Sequence, residues 1–341
     1  MLFLEMPPQL YMNYNKYNYL FKQSYKYRKM NRRNFLLVII FTLGYFLSQA
    51  QSNLLNAKTP AEIGKKSPSQ LISDNDKALP YGNVDDRDIL MGKTTWETID
   101  LDERINFPLY YPIDTANIGK ERRSLFRVLL NGIKNGKITE VYEDSYFTTK
   151  KTYKDIVVNL TYNDTLRKSE EAEQYYQTYQ LTKNKKLPYD PQYINPYTVE
   201  ERDIKSYKIK GYWYFNKRLS ELKYRLIGIC PFAPEASSKK PQDGITVSEI
   251  LPIPLFWLYF PSVRDVLHDA KSFNNRNSAM PVDFDTLLNS RKFNAVIYQE
   301  ENVQGDRAIA GYKPNNAMDQ LLEAERIKEK IRDFEHDMWN Y

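Results

Sequence analysis

Only one cysteine, Cys230, occurs in the 341 residues, and only two histidines, His268 and His336. A single thiol excludes an intramolecular disulfide framework and a thiolate metal centre. Two histidines far apart in sequence exclude a His-rich metal site, and both are expected on helix surfaces. Glycine is scarce too: there are twelve, and none forms a Gly-rich phosphate loop. No GxSxG nucleophile elbow is present. Charge of one sign is also lacking over most of the chain. The formal charge is +6, yet residues 1–50 hold seven cations and one anion. The other 291 residues therefore carry 42 basic side chains (49 less 7) and 42 acidic ones (43 less 1). A neutral body has no electrostatic footprint for nucleic acid. Nor does net repulsion oppose its close association with other protein.

What the chain does hold is aromatic. Four Trp, 28 Tyr and 16 Phe supply large areas for packing and amphipathic surface for protein contacts. Cys230 stands in an apolar run, Leu226 to Cys230, and is expected to be buried and inert.

The N-terminal region has the pattern of an export signal. Arg32 and Arg33 precede the uncharged run Phe35 to Leu47, and Ser48-Gln49-Ala50 supplies small residues for cleavage between Ala50 and Gln51. The apolar run is shorter than the ~20 residues a spanning helix needs, so an uncleaved anchor is the weaker reading. Gln51 stands where a lipoprotein carries cysteine. Met30 is the expected initiator, with residues 1–29 as an upstream extension outside the native protein. The rival reading of that tyrosine-rich stretch is a cytoplasmic tail.

Residues 51–90 are polar and broken by Pro60, Pro68 and Pro80, which reads as a flexible leader. Residues 91–311 read as a folded α+β core, with mixed or antiparallel sheets and short helices. Structure is expected to begin near Trp96, with Phe107 to Pro112 extended. Ser124 caps a helix whose apolar residues are Leu125, Val128, Leu129 and Ile133, and Asn135-Gly136 ends it. Lys137 to Glu143 and Tyr153 to Tyr162 read as strands, Lys168 to Thr182 as a helix and Lys183 to Pro196 as a loop. The strongest strand pattern runs from Ile204 to Ile229, a hairpin with Gly211 as a bulge. Pro252 and Pro254 confine the next extended segment to an edge. Ser262 to Ser272 is a helix, Asp283 caps another over Phe284 to Asn289, and Phe293 to Gln299 is a last strand. Tyr110-Tyr111-Pro112 and Tyr259-Phe260-Pro261 each precede a helix and a strand. Two related halves, with a boundary near 183–200, are one reading of this match and coincidence is the other.

Residues 312–341 hold an amphipathic C-terminal helix. Ala317, Leu321, Ala324, Ile327, Ile331, Phe334 and Met338 form a stripe at three- and four-residue steps. That stripe either docks on its own domain or is offered to a neighbouring subunit. Trp213, Tyr214, Ile327, Ile331 and Phe334 are the candidate protein contacts. No residue stands out as catalytic, metal-binding or cofactor-binding. Two acidic clusters, Asp85-Asp86-Asp88 and Asp100-Asp102-Glu103, leave a second function class open, a periplasmic glycan-binding or glycan-hydrolysing protein. Trp213 and Trp257 would then stack on sugar. Solvated loop carboxylates and packed tryptophans are the simpler account.

Several phrases of the chain resemble the GldN/PorN family of gliding-motility and type IX secretion proteins. They are Arg104-Ile105-Asn106-Phe107-Pro108-Leu109-Tyr110-Tyr111-Pro112, the Ser124-Leu125-Phe126 helix start, Gly132 to Thr139, and Trp213-Tyr214-Phe215. The likeness spans roughly Trp96 to the C-terminus. It implies a non-enzymatic ring component in the periplasm, at the inner face of the outer membrane. It also implies self-association in that ring, a GldK/PorK-type outer-membrane lipoprotein as partner, and contact with a GldM/PorM-type inner-membrane motor protein. Membrane association would then come only through partners.

Overall fold

The computed structural model describes residues 77–115, 122–164, 170–181, 190–239, 251–273, 282–314 and 316–339, with residue 59 standing alone. The chain divides into two compact units, Met1–Asp76 and Lys77–Tyr341. The expected signal peptide, the Ala50–Gln51 cleavage site and the upstream extension lie outside the described residues.

The second unit is α+β. Strand β1 (Ile89–Asp100) leads to a one-turn helix α1 (Phe107–Tyr110) and to helix α2 (Leu125–Lys134). After β2 (Val141–Tyr142) come helix α3 (Tyr153–Leu160), β3 (Thr161–Asp164), helix α4 (Glu170–Leu181) and β4 (Asn195–Thr198). The long hairpin β5 (Ser206–Asn216) and β6 (Glu221–Ala233) follows, then β7 (Ile253–Pro254) and β8 (Trp257–Tyr259). Helices α5 (Phe260–Asp269) and α6 (Phe284–Asn289), strand β9 (Val296–Glu300), and helices α7 (Ile309–Tyr312) and α8 (Ala317–Trp339) complete it. Seven strands form one antiparallel sheet in the order β2-β8-β6-β5-β1-β9, with β7 also against β6. The other two, β3 and β4, pair with each other.

The hairpin at the sheet's centre follows from its sequence. Asn216 is buried at the tip, and its side-chain oxygen accepts the amides of Arg218 and Leu219 at 3.0 and 3.2 Å. The register slips where Lys210 faces Gly228 and Gly211 faces Leu226. The unpaired residue is therefore Ile227, on the strand opposite the expected bulge. Gly211 serves a different need: the Tyr224 phenol lies where a β-carbon would stand, its hydroxyl oxygen 2.1 Å from that position.

The pleat sends alternate residues to opposite faces. On the first face, Ile99, Tyr207, Ile209, Leu226 and Ile229 meet α2, α3, α5 and α6 in the main core. Farther along that face, Ile297 with Ala324, Ile327 and Ile331 of α8 makes a second cluster, against which Met91, Trp213 and Leu222 pack. The second face carries Trp96, Cys230, Phe232 and Trp257. The Phe147 ring covers Gly228 there, 2.7 Å from the position of a β-carbon.

Helix ends obey local chemistry. Ser124 accepts the Arg127 amide, Asp283 accepts that of Thr286, and Gly136 takes φ 71° just past α2. Pro254 sits in a two-residue edge strand, as its missing donor requires.

Several expectations need correction. Tyr153 to Leu160 is a helix, and only Thr161–Asp164 is strand. Thr152 and Asp155 close a reciprocal capping box, and Ile156 and Leu160 meet the core at helical spacing. The Val157-Val158 pair suggested a strand, but Val158 is 72% exposed and has no sheet to join. Phe107 to Pro112 is not wholly extended: Phe107–Tyr110 makes a helical turn with Pro108 in its first two positions, where proline loses no bond. Of Lys137 to Glu143, only Val141–Tyr142 is strand. Asn195-Pro196 belongs to β4 and not to a loop. The fold starts before Trp96, because β1 begins at Ile89 and Tyr81 already donates to Asn289 Oδ1 at 3.1 Å. The two Pro-containing phrases differ locally: Tyr110 ends α1, whereas Phe260 begins α5.

Candidate protein-interaction face

The five candidate contacts divide between the two faces of the sheet. Trp213 and Tyr214 are adjacent on β5, so their side chains point oppositely. Tyr214 is only 6% exposed and stacks on Tyr212 with centroids 6.1 Å apart. Trp213 lies on the first face, half-buried beside Tyr224 at 4.9 Å. Phe334 of α8 stands edge-on to Phe215, 5.9 Å away. Ile327 and Ile331 are 1% and 6% exposed. Their side chains are committed to the chain's own sheet.

Trp213 also borders a buried ion pair. Arg291 reaches Glu97 through Nη2 to Oε2 at 2.7 Å and Nη1 to Oε1 at 3.3 Å. Glu97 is 1% exposed, and Thr95 Oγ1 donates to it at 3.3 Å. The guanidinium stacks over Tyr224 at 4.1 Å and Trp213 at 5.0 Å. Burial, with the nearby Glu97 charge adding to it, pushes the Tyr224 phenol well up. Arg291 takes φ 51° just after α6 to reach this site. No sequence period marks an Arg–Glu pair that is 194 residues apart, and the sequence reading missed it.

Helix α8 has a second apolar row. Met318, Leu321 and Leu322 are 62%, 44% and 60% exposed, at steps of three and four residues. Met318 and Leu322 point away from the Ala324–Ile327–Ile331 stripe, which at 100° per residue lies on the opposite side. The three- and four-residue spacing marks this row in the sequence as it does the stripe. Beside this row Glu323 accepts from Arg326 and from Tyr312 Oη. The Arg326 guanidinium holds the Glu323 carboxyl below its usual range.

His268, Asp283 and Asp285 come together, and His268 is largely enclosed rather than on the surface. The two carboxylates are already engaged. Asp283 caps α6, and Asp285 takes both Arg264 Nε and Nη2 at 2.9 Å as well as the Asn289 amide at 2.7 Å. Members of the acidic clusters are engaged too: Asp88 lies 3.7 Å from Arg218, Asp100 accepts the Asp102 amide, and Glu103 accepts from Asn294. Trp257 is 4% exposed, so no ring face is left for sugar. Burial pushes the Cys230 thiol up, as expected of an inert cysteine. Among the described residues no helix is long and apolar enough to cross a membrane.

No curated protein matches the chain. A family profile described as "Gliding motility associated protein GldN" matches residues 84–340, from just before β1 to the end of α8. The match takes in the sheet, its three hydrophobic clusters and the C-terminal helix. The chain belongs to the GldN family and so to the components of gliding-motility and type IX secretion machinery.

Proposed function

We propose that the protein is a non-enzymatic periplasmic component of this machinery. It is exported through the signal at residues 30–50, is cleaved between Ala50 and Gln51, and lies at the inner face of the outer membrane. There it forms a ring with a GldK/PorK-type lipoprotein and meets the periplasmic part of a GldM/PorM-type motor protein. The observation that carries this reading is the family match across residues 84–340. The exposed Met318–Leu321–Leu322 row supports it physically, because contiguous apolar side chains left in water on a terminal helix favour a partner. The buried stripe fits a helix that is anchored from one side and free to be covered from the other.

Pull-down of the tagged full-length protein from periplasmic and outer-membrane fractions tests the reading, with mass measurement of what is recovered. A large assembly containing an outer-membrane lipoprotein is the expected result. A monomer retained on glycan would replace the reading with the carbohydrate-binding one.

A further inference from the structure

A groove of 1330 Å³ opens between α1, the Tyr111–Asp114 segment that follows it, the 272–273 segment and the start of α6. It lies in a different part of the fold from the α8 row. Its apolar wall is poorly covered: Ile105, Phe107, Tyr111 and Phe273 are 57%, 37%, 38% and 40% exposed. Phe107 and Tyr111 meet edge-on, 5.2 Å between ring centres, and both line the groove. Leaving four large apolar side chains in water around one concavity costs free energy that a partner would recover.

Arg127, Arg264 and Arg291 each hold a carboxylate in a two-point pair. The cations that line the groove are others, Arg104, Arg122 and Lys292, and none of them has a carboxylate partner among the described residues. Among the described lining residues Asp114 is the one carboxylate, and it is already engaged. The groove thus joins an apolar floor to three cations that no described carboxylate pairs. Its volume exceeds the ~300–1,000 Å³ of a typical small-ligand pocket. A nucleic acid would need a longer basic track than three side chains.

We propose that this groove docks an extended acidic segment of another protein, one that alternates carboxylates with bulky apolar side chains. The apolar residues would seat on Ile105, Phe107, Tyr111 and Phe273. The carboxylates would pair with Arg104, Arg122 and Lys292, where arginine supports two-point geometry. The chain's own leader fits less well, since residues 51–76 contain three basic and three acidic side chains. The proposal stands on the groove alone and does not depend on ring assembly.

Fluorescence anisotropy on the full-length chain tests it. The probes are two labelled decapeptides, one alternating Asp with Leu and Phe, the other carrying Lys in place of each Asp. The acidic peptide should bind at least tenfold tighter at low salt and weaken as salt rises. The triple variant Arg104→Glu, Arg122→Glu, Lys292→Glu should lose that preference while melting like the parent, since all three side chains are at the surface. Single-site Ile105→Asp should weaken the acidic peptide as well. Equal binding of the two peptides, no binding of either, or a preference kept by the triple variant would overturn the proposal. Displacement of the acidic probe by an unlabelled 51–76 peptide, or a dimer mass for the chain alone that the triple variant abolishes, would overturn it in favour of the leader or of a second copy.

Discussion

One face of the seven-stranded sheet is closed by helices, and the other is closed by rings around two lysines. On the first face, α2, α3, α5, α6 and α8 bring whole aliphatic side chains against Ile99, Ile209, Leu226 and Ile297. On the second, Lys208 lies between Phe232 and Tyr298 at 4.3 and 4.4 Å. Lys210 sits over Trp96 and Tyr146 at 4.9 and 4.6 Å and donates to the Ser145 carbonyl. The difference is one of how tightly each face is specified. The helical face depends on register, capping and volume, so single substitutions there are costly. The lysine face uses flexible stems over π surfaces, each contact contributing about 0.5–2 kcal/mol. A stretch that reads as alternating lysine and apolar residues thus makes two different kinds of packing from one strand.

The sharpest break in the helical face is expected at its buried ion pair. Arg291→Met leaves the Glu97 carboxylate enclosed without a charged partner, which costs about 3–5 kcal/mol. Chemical denaturation measures it, and a loss below 1 kcal/mol would show that Glu97 finds water or another donor. Ile327→Ala should cost about 2–5 kcal/mol by opening a void between α8 and the sheet. If α8 packed only against a partner, the isolated protein would not register that change. Thr152→Ala removes one half of the capping box of α3 and should cost about 1 kcal/mol, read from the shift in midpoint.

On the lysine face the effects are smaller and depend on pH. Burial holds the Lys208 and Lys210 ammonium groups below their ordinary pKa. For a base, a lowered folded value means that folding is penalised while the group is charged. The penalty lifts as pH rises from the lowered folded value towards the ordinary value of about 10.4. Lys208→Met should change stability at neutral pH by less than about 1 kcal/mol and flatten the rise on that alkaline side. A slope unchanged in the variant would assign the rise to other groups. Glu323 behaves in the opposite sense on the acid side. Its lowered folded pKa contributes stability above the ordinary glutamate value of about 4.3 that is lost as pH falls through the folded one. Glu323→Gln should remove that loss.

The α+β class, the central hairpin, the capped helices α2 and α6 and the extent of α8 were legible because each rests on local signals. Alternation marked β5 and β6, Ser124 and Asp283 marked helix starts, and a three-four stripe marked α8. Helix α3 was misread because valine pairs carry strand propensity, whereas the Thr152–Asp155 box and the Ile156–Leu160 spacing decided the fold. The contact candidates were apolar residues chosen by pattern. Pattern finds a helix's apolar side but does not say whether the chain's own sheet already covers it. Ile327 and Ile331 are so covered, while Met318 and Leu322 lie outside the stripe and were passed over. The groove beside α1 escaped notice because it joins residues from near 105, 122, 273 and 292 that no local window connects.

The central claim is that α8 holds the fold with one side and a partner with the other. The paired variant Met318→Asp, Leu322→Asp tests it most directly, by its thermal midpoint and by the mass of the complex recovered from the outer-membrane fraction. The account predicts an unchanged midpoint, since exposed positions tolerate such changes within about 0.5 kcal/mol, and loss of the lipoprotein-containing assembly. A full-sized assembly recovered from an equally stable variant would contradict it.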